Sequence, residues 1–300
     1  MLSVYPDAAY PETGGERDRW ILARRGARAE MDPRRPWAFF AEEERSKDGE
    51  IVPVATVFLT NRECPWRCLM CDLWKNTLAG SVPAGAIPEQ IDFALKQLPA
   101  ARQIKLYNSG SFFDPRAIPV EDYPAIAERV RLFERVIVEN HPALVGEAAV
   151  RFRDLVGQPL EVAMGLETAH PEILAKLNKR MTLRQFRTAA DFLRANAIDL
   201  RVFILVKPPF MREEEAVEWA ARSVDFAFDC GATAITLIPT RGGNGAMEEL
   251  EFSPPRLQTL EAAFEYGRGL RRGRVFVDLW DVRSDEAGRV ERLRELNLTQ

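Results

Sequence analysis

From residue 51 onward, short apolar runs alternate with longer amphipathic stretches. VATVFL (54–59), IKLY (104–107), RVIVE (135–139), LEVAMGL (160–166), LRVFILV (200–206) and AITLI (234–238) are brief, and most are rich in β-branched residues. That texture predicts strands of a parallel sheet covered on both faces. Between them the apolar spacing changes to three and four, which predicts helices: IPEQIDFALKQL (87–98), VEDYPAIAERVRLF (120–133), ALVGEAAVRFRDLV (143–156), LRQFRTAADFLRANA (183–197) and EEEAVEWAARSVDFAFD (213–229). Local signals agree. Pro124 belongs in a first turn or breaks its helix. Thr182 suits an N-cap, Glu213 to Glu215 suit a helix N-terminus, and Gly231 suits a C-cap.

Six strands, each followed by a helix, imply right-handed βα units and a parallel sheet. Six units fall short of the eight of a closed barrel. The predicted fold class is therefore α/β, a partial (β/α)6 TIM-type barrel over residues 46–240. Residues 1–45, rich in Arg, Glu, Pro and Ala, read as a leader packed on the core through Trp20, Trp37, Phe39 and Phe40. Residues 241–300 read as a C-terminal α/β extension: a Gly-rich loop (241–252), a helix (254–272), a further strand (275–282) and a terminal helix (286–298). In such folds the ligand site lies at the C-terminal ends of the strands. That rule selects residues 60–64 and 108–112, Glu139 and Asn140, Glu167 and Thr168, and residues 207–209 and 239–241.

Composition narrows the class. Hydrophobic residues at 46% and charged residues at 29% fit a globular chain and exclude global disorder. A formal net charge of −4 argues against a protein held on nucleic acid by bulk charge, and leaves Arg clusters at 24–35 and 268–274 as local basic patches. There is no basic-then-apolar leader and no run of about 18 apolar residues, so neither a secretory signal nor a membrane span is expected. Cys64, Cys68 and Cys71 crowd together while Cys230 stands alone. This does not resemble a secreted disulfide framework, and a cytoplasmic location is expected.

The segment ECPWRCLMCD (63–72) has the spacing C-x3-C-x2-C. Three thiolates on one loop can wrap one face of a cubic iron–sulfur cluster and leave one iron without a protein donor. The alternatives are a zinc site completed by a fourth ligand and unreactive core cysteines. No His lies nearby in sequence, since the two present are His141 and His170.

C-x3-C-x2-C after the first strand of a partial barrel resembles the radical S-adenosylmethionine (SAM) superfamily, over roughly residues 50–240. The resemblance implies that Cys64, Cys68 and Cys71 bind a [4Fe–4S] cluster whose fourth iron chelates SAM. One electron, from a donor such as a flavodoxin or ferredoxin, then splits SAM into methionine and a 5′-deoxyadenosyl radical that abstracts hydrogen from substrate. Ser109, Gly110 and Ser111 occupy the turn that binds the SAM amino group in this family, although only one Gly remains. In the coproporphyrinogen-oxidase-like and elongator-like branch, a Gln or Glu after strand four contacts SAM and an Arg twelve residues later meets its carboxylate. Glu167 and Lys179 occupy those positions, with Lys replacing the usual Arg. Met70 stands where an aromatic residue is usual. Glu139, Asn140, Lys207 and Arg241 lie on the rim as contacts to SAM or substrate.

KLYNSGSFFDPRAIP (105–119) and GLETAHPEILAKLNK (165–179) are similar to the radical SAM subunit of archaeosine synthase and its bacterial relatives, which implies a nucleobase or RNA substrate. Two other readings stand beside it: the same chemistry on a small molecule, and a non-enzymatic zinc or iron–sulfur protein. Cys230 alone cannot hold a second cluster and reads as buried packing. His141 and His170, each before a Pro, read as helix-start and turn residues, with an acid–base role the alternative for His141.

Overall fold

The computed structural model describes residues 10–250, 252–280, 282 and 286–300; residues 1–9 of the expected leader and position 281 of the expected strand 275–282 lie outside them. The six predicted strands form as β2 (Ile51–Phe58), β3 (Gln103–Tyr107), β4 (Arg135–Glu139), β5 (Leu160–Glu167), β6 (Asp199–Val206) and β7 (Ala234–Pro239). All pair in parallel and in sequence order. Two further strands extend this set. β1 (Ala38–Arg45) pairs antiparallel to β2, and β8 (Arg274–Val277) pairs parallel to β7. The sheet therefore has eight strands in the order β1 to β8, taking one from the segment read as a leader and one from the segment read as an extension.

The helices follow their signals. α2 (Ala86–Leu95), α3 (Tyr123–Val130), α4 (Glu147–Val156), α6 (Leu183–Ala195) and α7 (Glu213–Asp229) lie between successive strands. Pro124 sits in the first turn of α3. Thr182 caps α6 in a reciprocal capping box with Gln185. Four more helices occur among the described residues: α1 (Gly14–Leu22), α5 (Pro171–Lys176), α8 (Leu257–Gly269) and α9 (Ala287–Thr299). No helix of the described residues is long and apolar enough to cross a membrane.

Strand side chains alternate between two faces. Val57, Leu106, Val138, Val162, Ile204, Leu237 and Val275 pack outward in one apolar core with the helices. Thr56, Lys105, Arg201, Phe203, Thr236 and Phe276 face the lumen instead. The inner face is thus polar and aromatic, and of the two faces expected to be covered, the helices cover only the outer one. Arg201 on β6 binds Glu44 on β1 at 2.5 Å and Glu161 on β5 at 2.6 Å. Flat strands lie about 4.8 Å apart, so β1 and β6 meet only because the sheet curls. Lys105 joins Glu44 at 2.6 Å, and Arg274 joins Glu161 at 2.8 Å. Burial would raise both carboxyls, but the cations hold Glu161 down to about 2 and Glu44 lower still.

β8 is an edge strand, and α9 covers its free side. The Val277 N–H donates to Asn297 Oδ1 at 2.8 Å, and Asn297 Nδ2 donates to the Val277 carbonyl at 2.9 Å. The Val275 N–H donates to Gln300 Oε1 at 2.5 Å. Arg45 Nη1 on β1 donates to the Leu298 carbonyl at 3.2 Å, so α9 also spans the seam.

Removing Arg201 leaves Glu44 and Glu161 charged and underpaired in a buried site. Arg201→Met is expected to cost about 3–5 kcal/mol, read from the midpoint of urea unfolding. A loss below about 1 kcal/mol would show that the lumen charges are not a structural unit.

Candidate functional site

The tips of the strands open on a cavity of about 740 Å³ lined by Cys64, Cys68 and Cys71, by Ser109 and Gly110, and by Glu139, Glu167 and Lys179. The cysteine loop follows β2, as the strand-tip rule selects. Its backbone is pinned from both sides. The Leu69 N–H donates to the Leu177 carbonyl at 2.9 Å. Asn178 Nδ2 donates to the Arg67 carbonyl at 2.7 Å and Asn244 Nδ2 to the Leu69 carbonyl at 2.5 Å. A small apolar cluster of Ile21, Leu69, Ala246, Met247 and Leu250 seals the outside of the loop, with Trp20 and Met70 packed against it.

All three cysteines carry free thiols. Burial pushes the Cys64 thiol up to about 12 and the Cys71 thiol up to about 11, and Cys68 also moves well up. Among the described residues, no three His, Cys, Asp or Glu side chains converge to hold a single metal ion, and the three cysteines line the cavity. Three half-buried, polarizable sulfur donors in one cavity fit a thiolate-ligated iron–sulfur group, whose positive irons would draw off the thiol protons.

Opposite the cysteines, a bulge between Gly165 and Glu167 shifts the register of β5 on β6, which pair last at Glu167 and Ile204. It leaves Glu167 at φ +66° and turns its carboxylate into the cavity. There Lys179 Nζ donates to Glu167 Oε1 at 2.5 Å, with both side chains 9% exposed. Burial alone would lower the Lys179 ammonium, but the Glu167 carboxylate keeps it raised. A Cβ on Gly165 would stand 2.1 Å from Glu167 Oε1 and 2.5 Å from Lys179 Nζ. A larger residue there would make the ends of both side chains shift.

The turn after β3 is braced from below by Glu139, whose Oε1 accepts the Asn108 N–H at 2.5 Å and the Gly110 N–H at 3.4 Å. Burial raises the Glu139 carboxyl. Ser109 takes a left-handed φ of +54° and its buried hydroxyl has no partner. An orphaned hydroxyl beside the cysteine loop fits a polar ligand such as SAM. Ser111 behaves differently. Its Oγ accepts the His141 N–H at 3.0 Å, and it is not among the cavity-lining residues. Lys207 also departs from the expected rim, because its Nζ is held by Ser253 at 2.7 and 2.8 Å and by Glu213 at 3.2 Å. Arg241 does line the cavity, 3.7 Å from Asp72. Asn140 lines it too while Oδ1 accepts the Phe113 N–H at 3.1 Å.

Three features escape a reading of the sequence. Asp278, directly after β8, lines the cavity, and burial raises its carboxyl. An aromatic wall of Phe40, Phe58 and Trp280, with centroids 5.1–5.9 Å apart, lies beside it. His141 stacks on Trp66 of the cysteine loop at 3.6 Å and 12°. Its Nδ1 accepts the Ala143 N–H at 3.1 Å, so Nε2 carries the proton toward the Lys179 carbonyl, also at 3.1 Å. This is a capping and bracing role. His170 likewise caps α5, and Cys230 is buried packing at the end of α7.

No family model matches the chain. It is 24% identical over 237 residues to an uncharacterized protein of Methanocaldococcus jannaschii, covering 74% of this chain and 65% of that one. It is 27% identical over 221 residues to archaeosine synthase subunit beta of Methanosarcina acetivorans, covering 68% and 64%. The chain thus spans a little under two thirds of each relative. Among solved structures, methylornithine synthase superposes with a TM-score of 0.54 at 15% identity, over 81% of this chain and 70% of that one. Coproporphyrinogen III oxidase of Escherichia coli, a radical SAM enzyme, superposes at 0.50 and 12% identity, over 90% and 58%. The chain has the fold of the radical SAM superfamily. By sequence it is similar to archaeosine synthase subunit beta.

His141 is buried neutral, its imidazole driven down to about 3 by burial and by the nearby Lys179 charge. The unfolded chain takes up a proton near pH 6.5 that the folded chain refuses, so this group costs stability as pH falls from 6.5 toward 3. His141→Gln is expected to flatten that part of the stability-versus-pH curve, measured by urea unfolding at fixed pH steps. Parallel wild-type and variant curves would refute the assignment.

Proposed function

We propose that this chain is a radical SAM enzyme in which Cys64, Cys68 and Cys71 hold a [4Fe–4S] cluster. The observation that carries the reading is the meeting of these three thiols with the Glu167–Lys179 pair in one cavity at the strand tips. Bound there, the cluster and SAM supply one-electron radical chemistry that removes hydrogen from a substrate. This chain's residues do the holding. Lys179 offers its ammonium to the SAM carboxylate, with Glu167 fixing its direction. Ser109 and Gly110 offer a hydroxyl and backbone to the amino group, on a turn that Glu139 braces. The aromatic wall excludes water, and the substrate takes the space above the charged floor of the lumen.

The sequence similarity to archaeosine synthase subunit beta favours a nucleobase in tRNA as substrate over a free small molecule. A flavodoxin or ferredoxin in a reducing cytoplasm fits the need for single electrons. The tRNA arm predicts retention that weakens steeply as salt rises; salt-insensitive or absent retention favours the small molecule.

Anaerobic reconstitution of the wild-type chain is expected to yield about four irons per chain, and SAM with a reductant then yields 5′-deoxyadenosine. Cys64→Ala, Cys68→Ala and Cys71→Ala are each expected to lose the iron. Retention of zinc without iron, and no cleavage of SAM, would refute the enzyme reading. Lys179→Ala and Gly165→Ala are expected to keep the iron and weaken SAM binding by about tenfold to a hundredfold, the worth of a charged hydrogen bond. Calorimetric titration of the iron-loaded chains with SAM reads this directly, and unchanged affinity in both removes the pair from the site.

A further inference from the structure

Glu63 stands directly before Cys64 and is the meeting point of three arginines. Its Oε1 accepts from Arg25 Nη1 at 2.6 Å and lies 3.1 Å from Arg67 Nη1, and its Oε2 accepts from Arg28 Nη2 at 2.6 Å. The carboxylate is only 11% exposed. Burial would raise it, but the three guanidiniums hold it below the usual carboxylate range.

Each arginine also grips something else. Arg25 lies over the Trp74 ring at 4.7 Å. Arg28 Nη1 donates to the Thr77 carbonyl and hydroxyl, each at 3.2 Å. Arg67 Nη1 donates to the carbonyls of Cys64 at 2.6 Å and Trp66 at 3.1 Å. One carboxylate therefore ties the segment after α1 to the residues before the first and second cysteines. Three cations against one anion leave a local excess of two positive charges beside the loop.

We propose that Glu63 is a positioning residue that locks the cysteine loop, and that the Glu63–Arg25–Arg28–Arg67 cluster sets the electrostatic field on the group the cysteines hold. The inference rests on the iron–sulfur reading above. An iron–sulfur cluster becomes more negative on reduction, so net positive charge nearby favours the reduced state and shifts the potential upward. The charge balance predicts a sign for each substitution. Glu63→Gln takes the local excess to about three and Arg28→Gln takes it to about one.

The test is a redox titration followed by electron paramagnetic resonance on reconstituted wild type, Glu63→Gln, Arg28→Gln and Arg28→Lys, with iron content measured on each. Glu63→Gln is expected to shift the potential positive and Arg28→Gln to shift it negative, while Arg28→Lys returns it to the wild-type value. Should Glu63→Gln fail to fold or hold iron, the Arg28 pair carries the test alone. A brace without electrostatic reach would lower iron content and leave the potentials together, which overturns the proposal. If wild type loads iron and the potentials coincide, this inference alone is lost. If wild type holds no iron, the cluster reading falls and this one with it.

Discussion

The lumen of an unclosed barrel has to be filled, and here it is filled by charge. In a closed barrel, layers of branched apolar side chains pack the interior. This chain instead places Glu44, Glu161, Lys105, Arg201 and Arg274 in the lower lumen. Taking such ions out of water costs several kcal/mol each, so their attraction does little for net stability. What they fix is geometry. Arg201 must reach Glu44 from five strands away, and that reach sets how tightly the sheet curls. The curl brings the tips of β2, β3, β5 and β8 around one cavity.

Above that floor the walls of the site are held by contacts within the chain. Asn178, Asn244 and Leu177 fix the cysteine loop through its backbone, and His141 stacks on its tryptophan. The bulge at Gly165–Glu167 sets the opposite wall. Left-handed backbone at Ser109 and Glu167 is strain of the kind that clusters where side chains are aimed at a ligand.

Much of this was legible in the chain. Apolar runs gave five of the six central strands to within one residue at each end, while β2 starts three residues before its run, and the strand-tip rule placed the cysteine loop, Glu139 and Glu167. The rest was hidden for physical reasons. β1 reads AFFAEEER, and glutamates disfavour strands; Glu42 and Glu44 are tolerated because Lys105 and Arg201, far along the chain, neutralise them. Asp278 was buried in the text of a longer expected strand, which ends at Val277. Ser111 and Lys207 lie at strand tips as expected, but their polar groups are spent on His141 and on Ser253 and Glu213. Nothing local in a sequence announces such distant partners.

The amides of Asn297 and Gln300 copy, from a helix, the hydrogen bonds that a ninth strand would make with Val275 and Val277. An edge satisfied this way offers little template to another chain's backbone. Because a helix is not extended, it covers only the lower part of the seam. Above it the seam is carried by ring contact between Phe40 and Trp280, with centroids 5.1 Å apart, and not by a ladder.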